Sequence, residues 1–296
     1  MLGALLPVAT FVSASGCGRA PSALILAATT STYDSGLLDS LLAAFSREHP
    51  DIRVRTVVTG SGQALELGRR GDADVLLVHA PAAEMRFVRA GYAAERVPVM
   101  ENDFLILGPA ADPAGIRGLT DPPGALARIA AHEATFLSRG DSSGTHEREL
   151  AIWALAGVRP APRWYLESGQ GQGTTLQIAS ERRAYTMSDR ATFGVLEGIV
   201  DLVPLVQGHA SLVNRYSAIL PTASAHPAEA STLIRWLTSE PGRRAIADFR
   251  RDRAGVPLFS PVVSAAPDPE PGDTPRADTD PAATQDAPPP TVTPPW

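Results

Sequence analysis

Leu24-Ile25-Leu26-Ala27-Ala28-Thr29-Thr30-Ser31-Thr32 is the stretch on which the fold turns. Its apolar run predicts a buried strand and the Ser/Thr cluster a polar turn. Leu37, Leu38, Leu41, Leu42 and Phe45 then recur at helical spacing, which predicts a helix over about 35–48. The same unit repeats downstream. Ile52, Val54, Thr56 and Val58 alternate as a second strand, which Gly60-Ser61-Gly62 breaks before a short helix near Gln63. Residues 74–79 give a third strand, and Pro81 suits the first position of the next helix. Alternating strands and helices imply an α/β protein with a mainly parallel sheet.

A further strand is expected over 102–109, and the Pro- and Gly-rich segment 112–124 marks a change of unit. A second series follows, with strands at 135–138, 164–167 and 184–187, a helix at 144–155 closed by Gly157 and another opening near Thr174. The chain then returns through strands at 202–206 and 217–220 to helices at 225–237 and 241–250. The expected organisation is two lobes: 22–108 plus 202–260 as lobe one and 109–201 as lobe two, with two crossings that make a hinge.

With 296 residues and 44% hydrophobic content, each lobe can bury a core of its own. Six acids in 261–296 face Arg276 alone, so nearly all of the net charge of −6 sits there and the body is close to neutral. A neutral body excludes a broad basic footprint for nucleic acid or for an anionic membrane. Residues 2–12 form a short apolar run, followed by the small residues Ser13, Ala14, Ser15 and Gly16 before Cys17, which predicts that residues 1–21 are an export signal segment with lipidation at that cysteine. As the single cysteine it permits no internal disulfide. Residues 264–296, rich in Pro and Asp, are expected to be a disordered tail.

Three segments place Gly, Ser and Thr between a strand and a helix: residues 28–32, Gly60-Ser61-Gly62 and Arg139-Gly140-Asp141-Ser142-Ser143-Gly144-Thr145. Free N–H groups and the positive dipole end at a helix start favour an anion, and hydroxyls add donors there. Any one such turn reads as an ordinary N-cap. Three of them, with Arg139 in one, point to a multi-oxygen anion held by Thr30, Ser31, Ser61, Arg139, Ser143, Gly144 and Thr145. A fourth turn, 169–175, would bring Thr174 to the ligand; it lacks both the P-loop ending and the dinucleotide spacing. The rival reading is a serine hydrolase. Gly140-Asp141-Ser142-Ser143-Gly144 satisfies G-x-S-x-G, with Asp189 or Asp201 and His209 or His226 as partners for Ser142. The histidines show no metal spacing, and no cofactor is implied.

Residues 24–39 (LILAATTSTYDSGLLD), 62–81 (GQALELGRRGDADVLLVHAP), 138–146 (SRGDSSGTH) and 164–180 (WYLESGQGQGTTLQIAS) together resemble the substrate-binding proteins of bacterial tungstate ABC transporters. The resemblance implies a two-lobed periplasmic-binding-protein fold of type II, with tungstate or molybdate in the cleft between lobes. It also implies an exported monomer that serves a membrane permease. That family's Thr-Thr-Thr-Ser run reads Ala28-Thr29-Thr30-Ser31 here, whereas its Arg-x-x-x-Ser-Gly-Thr segment is intact at Arg139, Ser143, Gly144 and Thr145. The latter is also similar to the anion turn of phosphate-binding proteins, which keeps phosphate and other tetrahedral oxyanions open as ligands. Where those proteins carry Asp before Ala-Pro, this chain has His79, a residue that can donate to an unprotonated dianion.

Overall fold

The computed structural model describes residues 23–262; the export segment with Cys17 and the tail at 264–296 lie outside the described residues. Strand β1 (Leu24–Thr29) lies between β2 (Val54–Thr59) and β3 (Val75–Val78), parallel to both. A strand flanked on both edges and covered on both faces has no wet side, so Leu24, Leu26, Ala27 and Ala28 are all buried. Parallel neighbours need crossover helices. These are α1 (Thr30–Asp34) and α2 (Leu37–Glu48) after β1, α3 (Ser61–Arg70) after β2 and α4 (Pro81–Arg89) after β3. Helix α2 buries Leu37, Leu38, Leu41 and Phe45, and Phe45 meets Trp236 edge-on with ring centroids 5.5 Å apart.

A 16-residue strand, β4 (Ala93–Gly108), leads into α5 (Pro122–Ala131), β5 (Phe136–Ser138), α6 (Gly144–Leu155), β6 (Tyr165–Glu167) and α7 (Gln172–Glu181). Then follow β7 (Tyr185–Asp189), α8 (Arg190–Leu196), β8 (Val203–Val206), β9 (Val213–Pro221), α9 (Pro227–Thr238), α10 (Glu240–Ala247) and β10 (Ser260–Pro261). The strands run β2-β1-β3-β9-β4-β7-β5-β6, with β8 and β10 on β4. Leu24, Leu26, Phe45, Tyr216 and Trp236 share one core. Phe104, Ile106, Phe136, Trp153 and Tyr185 share another.

Four features differ from expectation. The sheet is mixed, because β9 and β4 run antiparallel to their neighbours through its middle. Strand β4 begins at Ala93 rather than near 102; Pro98 and the acids around it hide its apolar pattern, and the register shifts between Pro98 and Met100 to absorb the proline. Helix α5 opens on Pro122-Pro123-Gly124, which reads as a breaker, yet proline is tolerated in a first turn and Asp121 caps it by accepting from Gly124 N (3.1 Å). Finally, parts of 104–108 and 202–206, drawn with lobe one, pack with the second half of the chain: β8 pairs with the end of β4, Leu205 and Val206 join Phe104 and Ile106 in the second core, and Leu105, Leu107 and Leu202 pack with Leu137 and Leu176. The chain passes between the cores near Asp103 and Val213, the last residues of the β4–β9 ladder.

Candidate functional site

The polar turns after β1, β2, β3 and β5 converge on His79. The last strand residue of β3 is Val78, and His79, which follows it, has only 4% of its surface exposed. Its N–H donates to Ser61 Oγ (3.3 Å), its ring stacks on Tyr216 with centroids 4.6 Å apart, and Nε2 lies 3.4 Å from Ser31 Oγ. Its Nδ1 is 2.9 Å from Asn214 Oδ1. The Asn214 amide donates from Nδ2 to Asn102 Oδ1 (2.8 Å) and to the Tyr216 hydroxyl (3.2 Å), so Oδ1 accepts and the ring proton sits on Nδ1. Nε2 therefore accepts. This corrects the expectation that His79 donates to the anion: it receives or orients the Ser31 hydroxyl, which also meets Tyr216 (3.0 Å) and Thr29 Oγ1 (3.1 Å).

Arg139 stands at the end of β5, 4% exposed. Nη1 donates to Gln172 Oε1 (3.3 Å) and Nη2 to Asp141 Oδ2, while Nε is buried without a partner. The other oxygen of Asp141 accepts from Ser143 N (3.0 Å), and Ser143 Oγ in turn caps α6 by accepting from His146 N (3.2 Å). Ser61 and Ser143 thus each use their oxygen on a backbone N–H, which leaves their own protons to donate. The first N–H groups of α3 and α6 have no partner within their helices.

Both halves touch here. Gly62 N donates to the Ser142 carbonyl (3.2 Å), and a Cβ at Gly144 would fall 2.1 Å from the His79 carbonyl oxygen, so only glycine fits at that position. Ser31, Ser61, Ser143, Gly144 and Thr145 are buried, and Thr30 is half-buried at the first position of α1. Thr174 is exposed on α7 and takes no part; Gln172, which starts the same helix, holds Arg139 instead and also donates to Met187 O (3.0 Å). Sequence reading also missed Asn214 and Tyr216. They stand two apart on β9 and so share a face, a pairing of polar residues inside an otherwise apolar strand that could have flagged them.

The hydrolase constellation does not assemble. Ser142 is exposed, Asp189 caps α8 through Thr192 N (3.0 Å), and His209 Nδ1 is engaged by Ser211 in its own turn. Among the described residues no group of three or more His, Cys, Asp or Glu could hold a metal ion.

Burial, reinforced by the charge of Arg139, pushes the His79 pKa down to about 4. Between that value and 6.5 the unfolded chain binds a proton that the folded ring refuses, so this contribution to stability is present above pH 6.5 and lost as pH falls through 4. Glu84, pushed by burial up to about 7, acts with the opposite sign over part of the same range. Comparison with His79→Gln cancels Glu84. The wild type should lose up to about 3 kcal/mol relative to that variant between pH 6.5 and 4 in urea unfolding, and parallel stability curves would refute a buried neutral ring.

A family model described as a PBP superfamily domain matches residues 13–241. The chain is 41% identical over 249 residues to the tungstate-binding protein TupA of Peptoclostridium acidaminophilum, covering 82% of this chain and 87% of that one. Among solved structures it is similar to the tungstate ABC transporter structure from Geobacter sulfurreducens, at 44% identity and a TM-score of 0.71, covering 78% of this chain and all of that one. The tungstate-binding protein from Desulfovibrio alaskensis G20 matches at 42% identity and a TM-score of 0.68, over 82% of this chain and 99% of that one.

Proposed function

The chain belongs to the PBP superfamily, within which its relatives bind tungstate, and from that membership we propose that it captures tungstate, or the near-identical molybdate, for an ABC transporter. Binding proceeds without turnover and without a cofactor. The observation that carries the reading is the buried Arg139 guanidinium with its unpaired Nε, in the same turn as the capped start of α6, which Gly62 and His79 of the other half contact. A buried charge with a donor left over calls for an acceptor. A tetrahedral dianion supplies four, and hydroxyls and helix N–H groups replace its hydration.

In this reading Ser31, Ser61 and Thr30 serve lobe one, while Arg139, Ser143, Gly144 and Thr145 serve lobe two. The lobes turn about β4 and β9 near Asp103 and Val213, and an anion touching both favours the closed form, which a membrane permease recognises. The protein acts as an exported monomer, tethered by lipid at Cys17.

Calorimetric titration with tungstate, molybdate, sulfate and phosphate tests the proposal. Monohydrogen phosphate brings a proton that needs an acceptor, and the acceptor nitrogen of His79, Nε2, already faces the Ser31 hydroxyl, with no carboxylate at that position. Tungstate and molybdate should bind at least about tenfold more tightly than phosphate, and at 100 times its dissociation constant either should add roughly 2.7 kcal/mol of apparent stability. Phosphate binding as tight as tungstate would replace this reading with that of a general oxyanion binder. Thr174→Ala and Ser142→Ala, both at exposed positions, should each leave tungstate affinity within about 0.5 kcal/mol of wild type by the same titration. A larger loss in either would move the site toward the α7 turn or toward the face of Ser142.

A further inference from the structure

A cavity of 380 Å³ lies between α4 and α6, beside the crossing strands β4 and β9. It is not the oxyanion site. It adjoins that site at His79, Gly144 and Asn214, which line the cavity, whereas Ser31, Ser61, Arg139 and Ser143 do not. Its volume falls in the range of small-molecule sites and far exceeds what one tetrahedral anion needs.

The lining is divided by chemistry. Met85, Phe104 and Ala151, with Ala80 and Pro81, supply an apolar wall. Arg86, Arg89, Arg148 and Arg215 also border it, against the single acid Glu147. Arg215 is paired outward with Glu101 (3.2 Å), whereas Arg86 and Arg89, exposed on successive turns of α4, make no ion pair among the described residues. Such a lining favours neither inorganic anions, which cannot use the apolar wall, nor neutral oils, which offer Arg86 and Arg89 no acceptor. Guanidinium forks match a carboxylate in geometry and in charge.

The geometry points to a second ligand site in this cavity, for a small organic monocarboxylate whose apolar body rests on Met85 and Phe104 and whose head meets Arg86 and Arg89. The proposal stands apart from the tungstate reading, because its test uses no tungstate.

Sodium octanoate is the probe, with octan-1-ol as the headless control and acetate as the bodiless one, all titrated into the full chain by calorimetry. Octanoate should bind saturably, one to one, at least about tenfold more tightly than either control. Arg86→Glu with Arg89→Glu, at exposed positions that burial does not constrain, should weaken octanoate by about tenfold or more while circular dichroism stays unchanged. Ala151→Trp should block the cavity and abolish binding, and Arg139→Ala should leave octanoate affinity intact. Should Ala151→Trp fail to fold, the charge-reversed variant decides. Equal affinity for octanoate and octan-1-ol, or octanoate affinity unmoved by charge reversal, would overturn the assignment. So would binding lost in Arg139→Ala and retained in Ala151→Trp, since octanoate would then occupy the oxyanion cleft.

Discussion

Arg139→Ala is expected to weaken tungstate binding by about 2–5 kcal/mol, the cost of removing one partner from a buried, hydrogen-bonded charge pair. Arg139 is 4% exposed, and its three nitrogens divide between Gln172, Asp141 and the empty direction of Nε. Two effects add in the variant. The dianion loses a fork-shaped cation, and Asp141 keeps its charge near the ligand with nothing to offset it. The fold should survive, since the Asp141 side chain is 28% exposed and can rehydrate. Arg139→Lys should fall between, with charge kept and the fork lost. Wild-type affinity in the alanine variant, with circular dichroism unchanged, would remove Arg139 from the site.

The strands and helices that surround the site were legible because they are short, regular and separated by Gly, Ser or Thr: β1, β3 and α6 sit within a residue or two of where the periodicity puts them. Legibility failed where tertiary structure overrides local pattern. Strand β4 carries Glu95, Glu101 and Asp103 as well as Pro98, and its long pairing with β9 makes it a strand. Residues 202–206 look like a return to the first lobe, yet the pairing of β8 with β4 decides otherwise. The site divides the same way. Ser31, Ser61, Arg139 and the Ser143 cap lie in turns whose residue types announce donors. Asn214 and Tyr216, by contrast, arrive from more than 130 residues beyond His79, a contact that no local spacing encodes. The role of His79 depended on that contact too. Without Asn214 Oδ1 to fix the proton on Nδ1, the ring can be read as a donor to the ligand; with it, Nε2 is an acceptor and Ser31 does the donating.

Glu149→Ala is expected to cost about 3–5 kcal/mol of stability, the largest effect of any single change considered, although Glu149 touches no ligand. Its carboxylate is buried at 1% exposure in the second core. Oε1 accepts from Trp153 Nε1 (3.1 Å) and the Tyr165 hydroxyl (2.8 Å), and Oε2 from Ser138 Oγ (2.7 Å). Removing it strands an indole N–H, a phenol and a serine hydroxyl together, and leaves a gap where Trp153 meets the stacked pair Phe136 and Tyr165 edge-on. The site should feel the loss. Ser138 precedes Arg139, and His146, 3.0 Å from Ser138 Oγ, follows Thr145, so this knot ties β5 to α6 and holds both ligand segments at their spacing. The Glu149 carboxylate, 4.0 Å from His146 Nδ1, also raises the His146 pKa, so part of the stability attributable to that ring is present below its ordinary value and lost as pH rises through the raised one. The alanine variant should lack that dependence. Urea unfolding of both proteins from pH 5 to 8 measures the two effects together. A loss under 1 kcal/mol, or an unchanged pH profile, would mean that water replaces the carboxylate and that the knot does not hold the binding segments in place.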